Sequence, residues 1–499
     1  MLDTTQPLRD PLLWNPDIAP LPRQKRDWTW VTLAAVWMGM VHNVVAYEAA
    51  AGLMAVGFSA LQCLLIVWTA YCSLFAAMWL NARAGTEWGI PFCVLIRAAF
   101  GPRGAVIPVA IRAVVAIFWF SVQSYAASEA LNAILASLWP AWNSLHLPGG
   151  GASLGLWLSM ALIWGLHALV AAHGMHRIRN FELVAGPLVL VVAGAASLWA
   201  IRICHGTGPL FSIPSTVHGA DLALKGGAAI TSIIGIWASF AVNIPDLSRF
   251  VRSQRDQAIG QLIGLPVTAI IFTPMSILIT SATIVTFGKP MWNPVEILTQ
   301  IHSTPLTLVG GITIIIAALS VNVAGNIVPA AYDLLSLFPR RLDFDRAGIA
   351  VILLGLLAAP WMWFDHPQTV FALLGILSAV LAPITGIMLA DYYLVRRQTL
   401  DLSQLYTFSG LYAGRHGWRP SALAATALTL LLILPPTLLP AGTFPGQDAI
   451  NAVSWFLGII TGGSLYTALN RSPKATTPGH DARETNGLSL VNPARTRNR

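Results

Sequence analysis

The sequence predicts an all-α membrane protein with twelve transmembrane helices. Of its 499 residues, 56% are hydrophobic and only 10% are charged, whereas soluble domains are about 25% charged. Apolar runs of roughly 20 residues, enough to cross a bilayer as a helix, recur from Trp28 to Tyr466. These runs are continuous, as in "LVAGPLVLVVAGAASLWAI", whereas a β-barrel would alternate over shorter segments. We expect spans at 28–56, 60–82, 104–138, 154–173, 182–202, 225–247, 258–288, 303–337, 347–363, 368–396, 420–440 and 447–468.

The basic residues predict the orientation in the membrane. The formal net charge is +8, but the loops on one side hold nineteen Lys and Arg residues and those on the other hold only Arg202, Lys225 and Lys289. This asymmetry is typical of a membrane topology with the basic loops inside, so no nucleic-acid partner is expected. We expect a multi-pass protein of the cell (inner) membrane with both termini in the cytoplasm.

Glycine-interrupted polar stretches in spans one and six suggest two inverted repeats. These stretches are "VWMGMVHNVVAYE" and "IIGIWASFAVNIPD", and broken helices at equivalent places in two halves are typical of secondary transporters. Glycine is also common in ordinary membrane helices, so the pattern alone fits both interpretations. The repeat interpretation gives a cytoplasmic N-terminal segment (1–27), a first five-helix repeat (28–202), an external connection (203–224), a second, inverted five-helix repeat (225–396), a cytoplasmic loop with helices eleven and twelve (397–470) and a disordered cytoplasmic tail (471–499).

Polar side chains inside the spans identify a candidate substrate site. Trp119 and Gln123 are four residues apart in "FWFSVQSY" and share one helical face. Asn322 and Asn326 have the same spacing in the eighth span, and Trp237 lies next to the break expected in the sixth. Indoles and carboxamides suit a flat, uncharged ring with adjacent C=O and N–H groups, as in cyclic ureides and nucleobases. Asn322 is equally suited to bridging two helices.

Longer motifs resemble the nucleobase:cation symporter-1 family. They are "NPDIAPLPRQKRDWTW", "WGIPFCVLIRAAFGPRGAVIPVAIRAVVAIFWFSVQ", "GKPMWNPV", "NVAGNIVPAAYDLLSLFPR" and "LAPITGIMLADYYLVRRQTLDLSQLY". The resemblance covers roughly residues 15–470 and is greatest to the bacterial hydantoin-transporting members and to related allantoin and uracil permeases. It implies a LeuT-like, five-plus-five inverted repeat in which helices one and six are discontinuous at mid-membrane.

The resemblance also implies roles for individual side chains. Two stacking indoles and two hydrogen-bonding carboxamides would hold the ring: Trp119, Trp237, Gln123 and Asn326. Ile236 stands where hydantoin-transporting members have a glycine, so its side chain should narrow the pocket. Asn43 replaces a glutamine near the ligand. Both differences suggest a ring other than hydantoin, with allantoin, uracil and cytosine as candidates.

The coupling ion is expected to be Na⁺ or H⁺. In sodium-using members the ion lies between helices one and eight, which corresponds here to the carbonyls of Gly39, His42 and Ala317 and the hydroxyl of Ser320. Val321 stands where the last ligand is a threonine hydroxyl, and the missing oxygen weakens the sodium site because hard cations need a full oxygen shell. His42, Glu48 and Asp333 are candidate proton carriers.

Four further charged residues have ordinary structural interpretations. Arg112 and Glu129 are compatible with a structural pair or with capping of helix ends, and we assign them no functional role. Asp246 and Asp391 lie where spans six and ten meet the cytoplasm, so solvation is favoured over a gating salt bridge for both.

We therefore expect a secondary-active symporter that imports a small planar nitrogen heterocycle and needs no cofactor other than the coupling ion. Its partners would be the substrate and membrane lipid, and a monomer suffices because the whole site lies in one chain. The alternatives are a membrane-embedded enzyme acting on the same ring and a non-transporting sensor. No acid/base or nucleophile constellation favours the enzyme.

Overall fold

The computed structural model describes residues 9–145, 153–171, 174–362, 367–440 and 442–470. These residues are helical apart from loops and two isolated β-bridges, and the tail at 471–499, expected to be disordered, lies outside them. Every one of the twelve expected segments contains a helix. The principal helices are α1 (Trp30–Val41), α2 (Val44–Val56), α3 (Ala60–Trp88), α4 (Val106–Leu138), α5 (Leu154–Ala171), α6 (Gly174–Cys204), α7 (Gly219–Asn243), α8 (Gln254–Phe287), α9 (Thr304–Leu337), α10 (Phe344–Gly355), α11 (Pro367–Leu389), α12 (Pro420–Ile433) and α13 (Gln447–Leu469).

The helices have the length and composition of a multi-pass membrane protein. Within the described residues, nine are long and apolar enough to cross a membrane, and α1 with α2 forms a tenth, bent candidate. Two further apolar helices, Leu154–Val170 and Pro420–Ile433, are shorter. An all-helical membrane fold is therefore confirmed.

The first span is interrupted between α1 and α2, whose axes differ by 65°. Asn43 stabilises the start of α2 because its Oδ1 accepts from the Ala46 amide at 3.0 Å, while its Nδ2 donates to the Met40 carbonyl at 2.9 Å. His42 follows the last residue of α1. Asparagine is among the preferred residues at the start of a helix for this reason.

The sixth span has no break beside Trp237. Helix α7 is continuous from Gly219 to Asn243 and is followed directly by the short helix Pro245–Ser248. Gly235 lies inside the helix, where a glycine weakens the local structure without removing a backbone hydrogen bond. Unwinding in an apolar environment also exposes amides that need other partners. The break expected at this point is therefore wrong for this structure.

Helices α8 and α9 each contain a wider π-helical stretch, at Ile263–Val267 and Val321–Ile327. Both stretches accompany a proline, Pro266 in the first and Pro329 just after the second. Proline has no amide hydrogen and its ring clashes with the carbonyl four residues earlier, so local widening relieves the clash. Such stretches frequently occur at functional sites.

The residues before α1 form an ordered strap, residues 9–28, across one end of the helix bundle. Backbone carbonyls of the strap accept from Arg97 (at Leu13, 2.9 Å), Tyr406 (at Ile18, 2.8 Å) and Arg249 (at Ala19, 2.6 Å). These contacts connect the strap to helices that are distant in the sequence. Residues 9–27 of the expected N-terminal segment are thus part of the folded structure.

Helices α11 and α13 pack with their backbones in contact. A Cβ atom added at Gly386 would overlap the Ile459 carbonyl, and one at Gly462 would lie 2.8 Å from the Pro383 Cα. Helix α13 also packs against α12 and α7. We call this contact the glycine seam.

Candidate functional site

The π-helical stretch of α9 carries a hydrogen-bonded pair of asparagines. Asn326 Nδ2 donates to Asn322 Oδ1 at 2.9 Å. Asn322 Nδ2 lies 2.9 Å from Ser124 Oγ, 2.9 Å from His167 Nε2 and 3.3 Å from the Phe120 carbonyl. Asn322 therefore bridges α9 to α4 and α5, the structural role that the sequence left open.

The imidazole of His167 is held in one tautomer by these contacts. Its Nδ1 lies 2.8 Å from the Ile163 carbonyl, which can only accept, so Nδ1 carries the hydrogen. Its Nε2 then accepts from Asn322. Sequence reasoning missed His167, although a histidine inside an apolar span is a signal of polar function.

Trp119 and Gln123 lie on α4, each directly before a residue, Phe120 or Ser124, that bonds to Asn322. Both are buried, with 6% and 2% of their surface exposed. Gln123 Oε1 has no hydrogen-bond partner among the residues that the structure describes. Its neighbour Ser124 bonds to Asn322. Because nearly all buried polar atoms in proteins are hydrogen-bonded, this oxygen is suited to a ligand.

Trp237 lies in an aromatic cluster on α1, α3 and α7. Its Nε1 donates to the Tyr71 hydroxyl at 2.7 Å, and its ring centroid is 6.0 Å from that of Trp37 and 5.7 Å from that of Phe240. Ile236, the residue before Trp237, is also buried. The indole is therefore fixed in orientation by a hydrogen bond and by edge contacts.

The aromatic cluster and the asparagine pair meet at Gly325. A Cβ atom there would lie 2.8 Å from Phe240 Cζ and 3.3 Å from Met40 Sδ. Gly325 lies between Asn322 and Asn326 in the sequence. The π-helical stretch of α9 thus contacts α1 and α7 on one side and α4 on the other, which brings the expected substrate residues to one region of the bundle.

Asn43 and His42 lie at the bend between α1 and α2, and their side chains form hydrogen bonds within the protein. Both polar atoms of the Asn43 side chain take part in the hydrogen bonds that hold the bend. His42 Nδ1 bonds to the Met38 carbonyl, and its ring packs against Phe272 with 4.5 Å between centroids. His42 Nε2 is buried without a partner among the described residues. Glu48 lies further along α2 and is half-buried.

The expected cation position contains a carboxylate that sequence reasoning missed. Ser320 Oγ donates to Glu182 Oε2 at 2.5 Å, and a Cβ atom at Gly39 would overlap Ser320 Oγ and lie 2.7 Å from Glu182 Oε2. Ala317 and Val321 are the other expected residues of this site on α9. Both are buried, and they lie three residues before and one residue after Ser320. The fifth span was expected to begin at residue 182, which would place Glu182 at the membrane boundary. Helix α6 instead begins at Gly174, so Glu182 lies inside the helix.

Four charged residues towards the strap end of the bundle are buried: Arg112, Asp246, Asp333 and Asp391. Arg112 bonds to Asp333 with 2.9 Å between Nη1 and Oδ2, and both side chains are fully buried, so Arg112 pairs with Asp333 and not with Glu129. Asp246 Oδ1 accepts from the Phe92 amide at 2.7 Å. Asp391 accepts from the Tyr466 hydroxyl at 2.6 Å. Both aspartates are buried, so the expectation that they are solvated is wrong.

Two open cavities lie on either side of the asparagine pair along α9. One, of about 620 Å³, is lined by Thr304 and Thr307 at the start of α9 and by the end of α4. The other, of about 630 Å³, is lined by Tyr332 near the end of α9 and by the strap. Trp119, Gln123 and Asn326 line neither cavity. Along α9, Asn322 and Asn326 lie between the residues that line the two cavities.

Comparison with known proteins assigns the chain to a family. The family described as "Permease for cytosine/purines, uracil, thiamine, allantoin" matches residues 20–458. The chain belongs to this permease family. An allantoin permease of Bacillus subtilis is 39% identical over 465 residues, which cover 92% of this chain and 93% of the relative. A hydantoin permease of Microbacterium maritypicum is 28% identical over 447 residues, 86% of each chain.

A solved transporter has the same fold as this permease. It is a nucleobase-cation-symport-1 family transporter in a closed conformation with bromovinylhydantoin bound. It has a TM-score of 0.76 and 25% sequence identity, and the match covers 92% of this chain and 95% of that one. The permease is accordingly a multi-pass membrane transport protein for heterocycles and not an enzyme.

Proposed function

We propose that this permease is a secondary-active symporter that imports a small, planar, uncharged nitrogen heterocycle together with a cation. The observation that carries the proposal is the Gln123 carboxamide oxygen, which is buried without a partner among the described residues. Gln123 directly precedes Ser124, which bonds to Asn322 of the Asn322–Asn326 pair. A ring with adjacent N–H and C=O groups would supply the missing donor and bond to the neighbouring amides.

The proposed site combines hydrogen bonding with ring stacking. Gln123 and Asn326 bond to the ring, Trp119 stacks on one face, and Trp237 closes the other. The hydrogen bond from Trp237 to Tyr71 supports this assignment because it fixes the plane of the indole. Ile236 reduces the space beside the ring. Asn322 positions Asn326, and Asn43 acts by holding the bend between α1 and α2.

Allantoin is the first substrate to test. The Bacillus subtilis relative is named an allantoin permease, and its identity to this chain is greater than that of the hydantoin permease. Allantoin is a cyclic ureide with the alternating C=O and N–H groups that the carboxamides would bind. Uracil, cytosine and hydantoin also carry ring C=O and N–H groups but lack the ureido substituent of allantoin, and they serve as competitors.

The transport cycle we propose is alternating access around this fixed site in a twelve-span, inverted-repeat fold. The two cavities support it, because one lies at each end of α9, the helix that carries Asn322 and Asn326. The protein would be a monomer in the cell (inner) membrane, with both termini in the cytoplasm. The boundaries proposed from the sequence place the repeats at 28–202 and 225–396.

The coupling ion we propose is H⁺. Val321 provides no oxygen at the position next to Ser320, which leaves a sodium ion short of ligands. Substrate and proton would each raise the affinity for the other by the same factor, because both stabilise the closed arrangement.

The test is uptake of radiolabelled allantoin into proteoliposomes. With an inward proton gradient, we expect the internal concentration to exceed the external one, the label to remain in unchanged allantoin, and a protonophore to abolish accumulation. Gln123→Ala protein is the control, since it retains the fold but lacks the proposed hydrogen bond. Chemically altered label would favour the enzyme, and binding without uptake would favour the sensor.

A further inference from the structure

We propose that the side chain of Glu182 on α6 is the group that carries the coupling proton. This inference rests on the proposed symport function and assigns it to a residue outside the substrate site. The proton would bind at Oε1, from water on the uptake side, and would leave to water on the cytoplasmic side. One proton would accompany each uncharged substrate, so each cycle would move one positive charge inward.

Three helices meet at the Glu182 carboxyl group. Glu182 belongs to α6, and its Oε2 accepts from Ser320 Oγ of α9 at 2.5 Å. The third helix is α1, because Gly39 is so close that an added Cβ would lie 2.7 Å from Oε2. Gly186, one turn further along α6, contacts α1 in the same way: an added Cβ would overlap the Ala35 carbonyl. Glu182 therefore lies in a tight contact between α1, α6 and α9.

The carboxyl group is in an environment that favours its neutral form. Its side chain is fully buried, and Oε1 has no hydrogen-bond partner among the residues that the structure describes. An ionised carboxylate that is buried without a counter-ion is strongly unfavourable. A proton on Oε1 removes the charge and leaves the hydrogen bond from Ser320 to Oε2 intact.

The charged and titratable groups on the helices packed against α6 either have other partners or are exposed, as Arg255 on α8 is. In the described part of the chain, α1 has no titratable side chain, and the His42 ring after it lies against Phe272. On the other packed helices, His167 bonds to Asn322, Asp333 pairs with Arg112, and Arg252, just before α8, pairs with Asp256. On α6 itself, Arg179 pairs with Asp27 of the strap. Ser320 is the one described side chain hydrogen-bonded to Glu182.

The local chemistry favours a proton over a metal cation. A proton needs only the free oxygen of Glu182, whereas a sodium ion would need several oxygen ligands. Ser320 already donates its hydrogen to Glu182. The next residue is Val321, which has no oxygen in its side chain.

A short stretch of α9 connects Glu182 to the substrate site. Ser320 directly precedes the π-helical stretch Val321–Ile327, which carries Asn322 and Asn326. A change in the Ser320–Glu182 contact would thus act on the same turn of helix that holds the substrate amides. Glu182 also lies only three residues, about 4.5 Å along the helix axis, beyond Arg179, which bonds to the strap. That position gives the proton a short route to the cytoplasm once α1, α6 and α9 separate.

The test compares two activities of Glu182→Gln protein in proteoliposomes. The glutamine mimics the protonated acid, since its carbonyl can still accept from Ser320. We expect exchange of labelled allantoin for unlabelled allantoin to continue within about twofold of the wild-type rate, while accumulation driven by a proton gradient is lost. Substrate-dependent proton uptake, followed with a pH-sensitive dye, should also be lost. Glu87→Gln is the matched control, because Glu87 is exposed and pairs with Arg23.

The outcomes separate this inference from the proposed function. Wild-type protein that neither exchanges nor accumulates allantoin, uracil, cytosine or hydantoin would overturn both. Proton-driven accumulation by Glu182→Gln at the wild-type level would overturn only the inference. Wild-type accumulation driven by sodium without a proton gradient would overturn the inference and the proposed H⁺ coupling, and would leave heterocycle symport standing. Ser320→Ala is the second variant, to be used if Glu182→Gln does not fold. Without the Ser320 hydrogen bond the carboxyl group should hold its proton to higher pH, so the upper pH limit of uptake should rise by about one unit. An unchanged pH profile would count against Glu182.

Discussion

Arg112 and Asp333 form a fully buried ion pair, with 2.9 Å between Nη1 and Oδ2, although they are 221 residues apart in the sequence. The pair joins α4 to α9 between the asparagine pair and the strap end of the bundle. Removing one partner of a buried pair leaves an uncompensated charge, which typically costs about 3–5 kcal/mol, whereas replacing both partners with apolar residues is often neutral.

We therefore expect Asp333→Leu to lower the free energy of unfolding by about 3 kcal/mol and the double variant Arg112→Met with Asp333→Leu to recover most of that loss. Thermal unfolding of the purified protein in detergent measures both effects. A double variant no more stable than Asp333→Leu would show that the Arg112 charge itself is not the destabilising element.

The carboxamides of Gln123 and Asn326 should contribute directly to substrate affinity. Gln123→Ala and Asn326→Ala should each weaken binding by about 1–3 kcal/mol, because each leaves a substrate group unpaired in a buried site. Quenching of tryptophan fluorescence on titration with substrate gives the dissociation constants. Gln447→Ala is the control: this buried carboxamide bonds to the Pro436 and Leu439 carbonyls, so its loss should reduce stability and leave affinity unchanged. If all three variants bind substrate with the same affinity as wild type, Gln123 and Asn326 do not contact the substrate.

The Ile236 side chain should limit the size of the ring substituent. Ile236→Ala opens space equal to three carbon atoms in a buried position, and pocket methylenes are each worth about 10-fold or more in discrimination. We expect the affinity for a hydantoin with a bulky 5-substituent to rise at least about tenfold relative to hydantoin. Competition against labelled substrate provides the ratio. A constant ratio would indicate that Ile236 faces away from the substituent.

Asn43 should act through the bend between α1 and α2 and not through the substrate. Asn43→Ala should lower stability by about 0.5–2 kcal/mol, the usual effect of removing such a capping residue, whereas Asn43→Ser should restore most of it because serine also caps helices. Unfolding and substrate titration on the same samples distinguish the two roles. If Asn43→Ser is as stable as wild type but loses affinity, Asn43 touches the substrate.

The strap should depend on Arg249 for its attachment. Arg249 is buried and donates to the carbonyls of Asp17 and Ala19, so Arg249→Met should release the strap. Trypsin cleavage at Arg23 and Lys25 should then be several times faster. Arg252→Met is the matched control, since the Arg252 side chain bonds to Asp256 and only its backbone amide, which the substitution keeps, bonds to the strap. Cleavage at the wild-type rate in Arg249→Met would mean that the other strap contacts suffice.

The positions of the helices were predictable because they follow from local composition. An apolar stretch must form all its backbone hydrogen bonds internally in a membrane, and each of the twelve expected segments contains a helix. The capping role of Asn43 was also visible in principle, because an asparagine directly before an apolar helix is a known start signal. Both signals, the apolar stretch and the asparagine before it, are local features of the sequence.

Contacts between distant residues were not predictable in the same way. Glu182 and Ser320 are 138 residues apart, and nothing in either stretch identifies the other. For Arg112 the sequence offered Glu129 as a partner or a helix end to cap, but tertiary packing brings Asp333 to it. The break expected beside Trp237 was inferred from a glycine, whereas the conformation depends on what the freed amides would bond to. The π-helical stretch of α9 likewise depends on how Pro329 is accommodated in the packed bundle.

The glycine seam should keep α11 and α13 at a fixed distance, against which movements of the other helices can be measured. Helices in direct backbone contact have no side-chain layer on which to slide, so α11 and α13 should stay together while other helices rearrange. A spectroscopic label on the lipid-facing side of α13, for example at Ile460, which is 64% exposed, would keep a constant distance from one on α11. Distances from that label to α1 would then report the moving part of the protein alone.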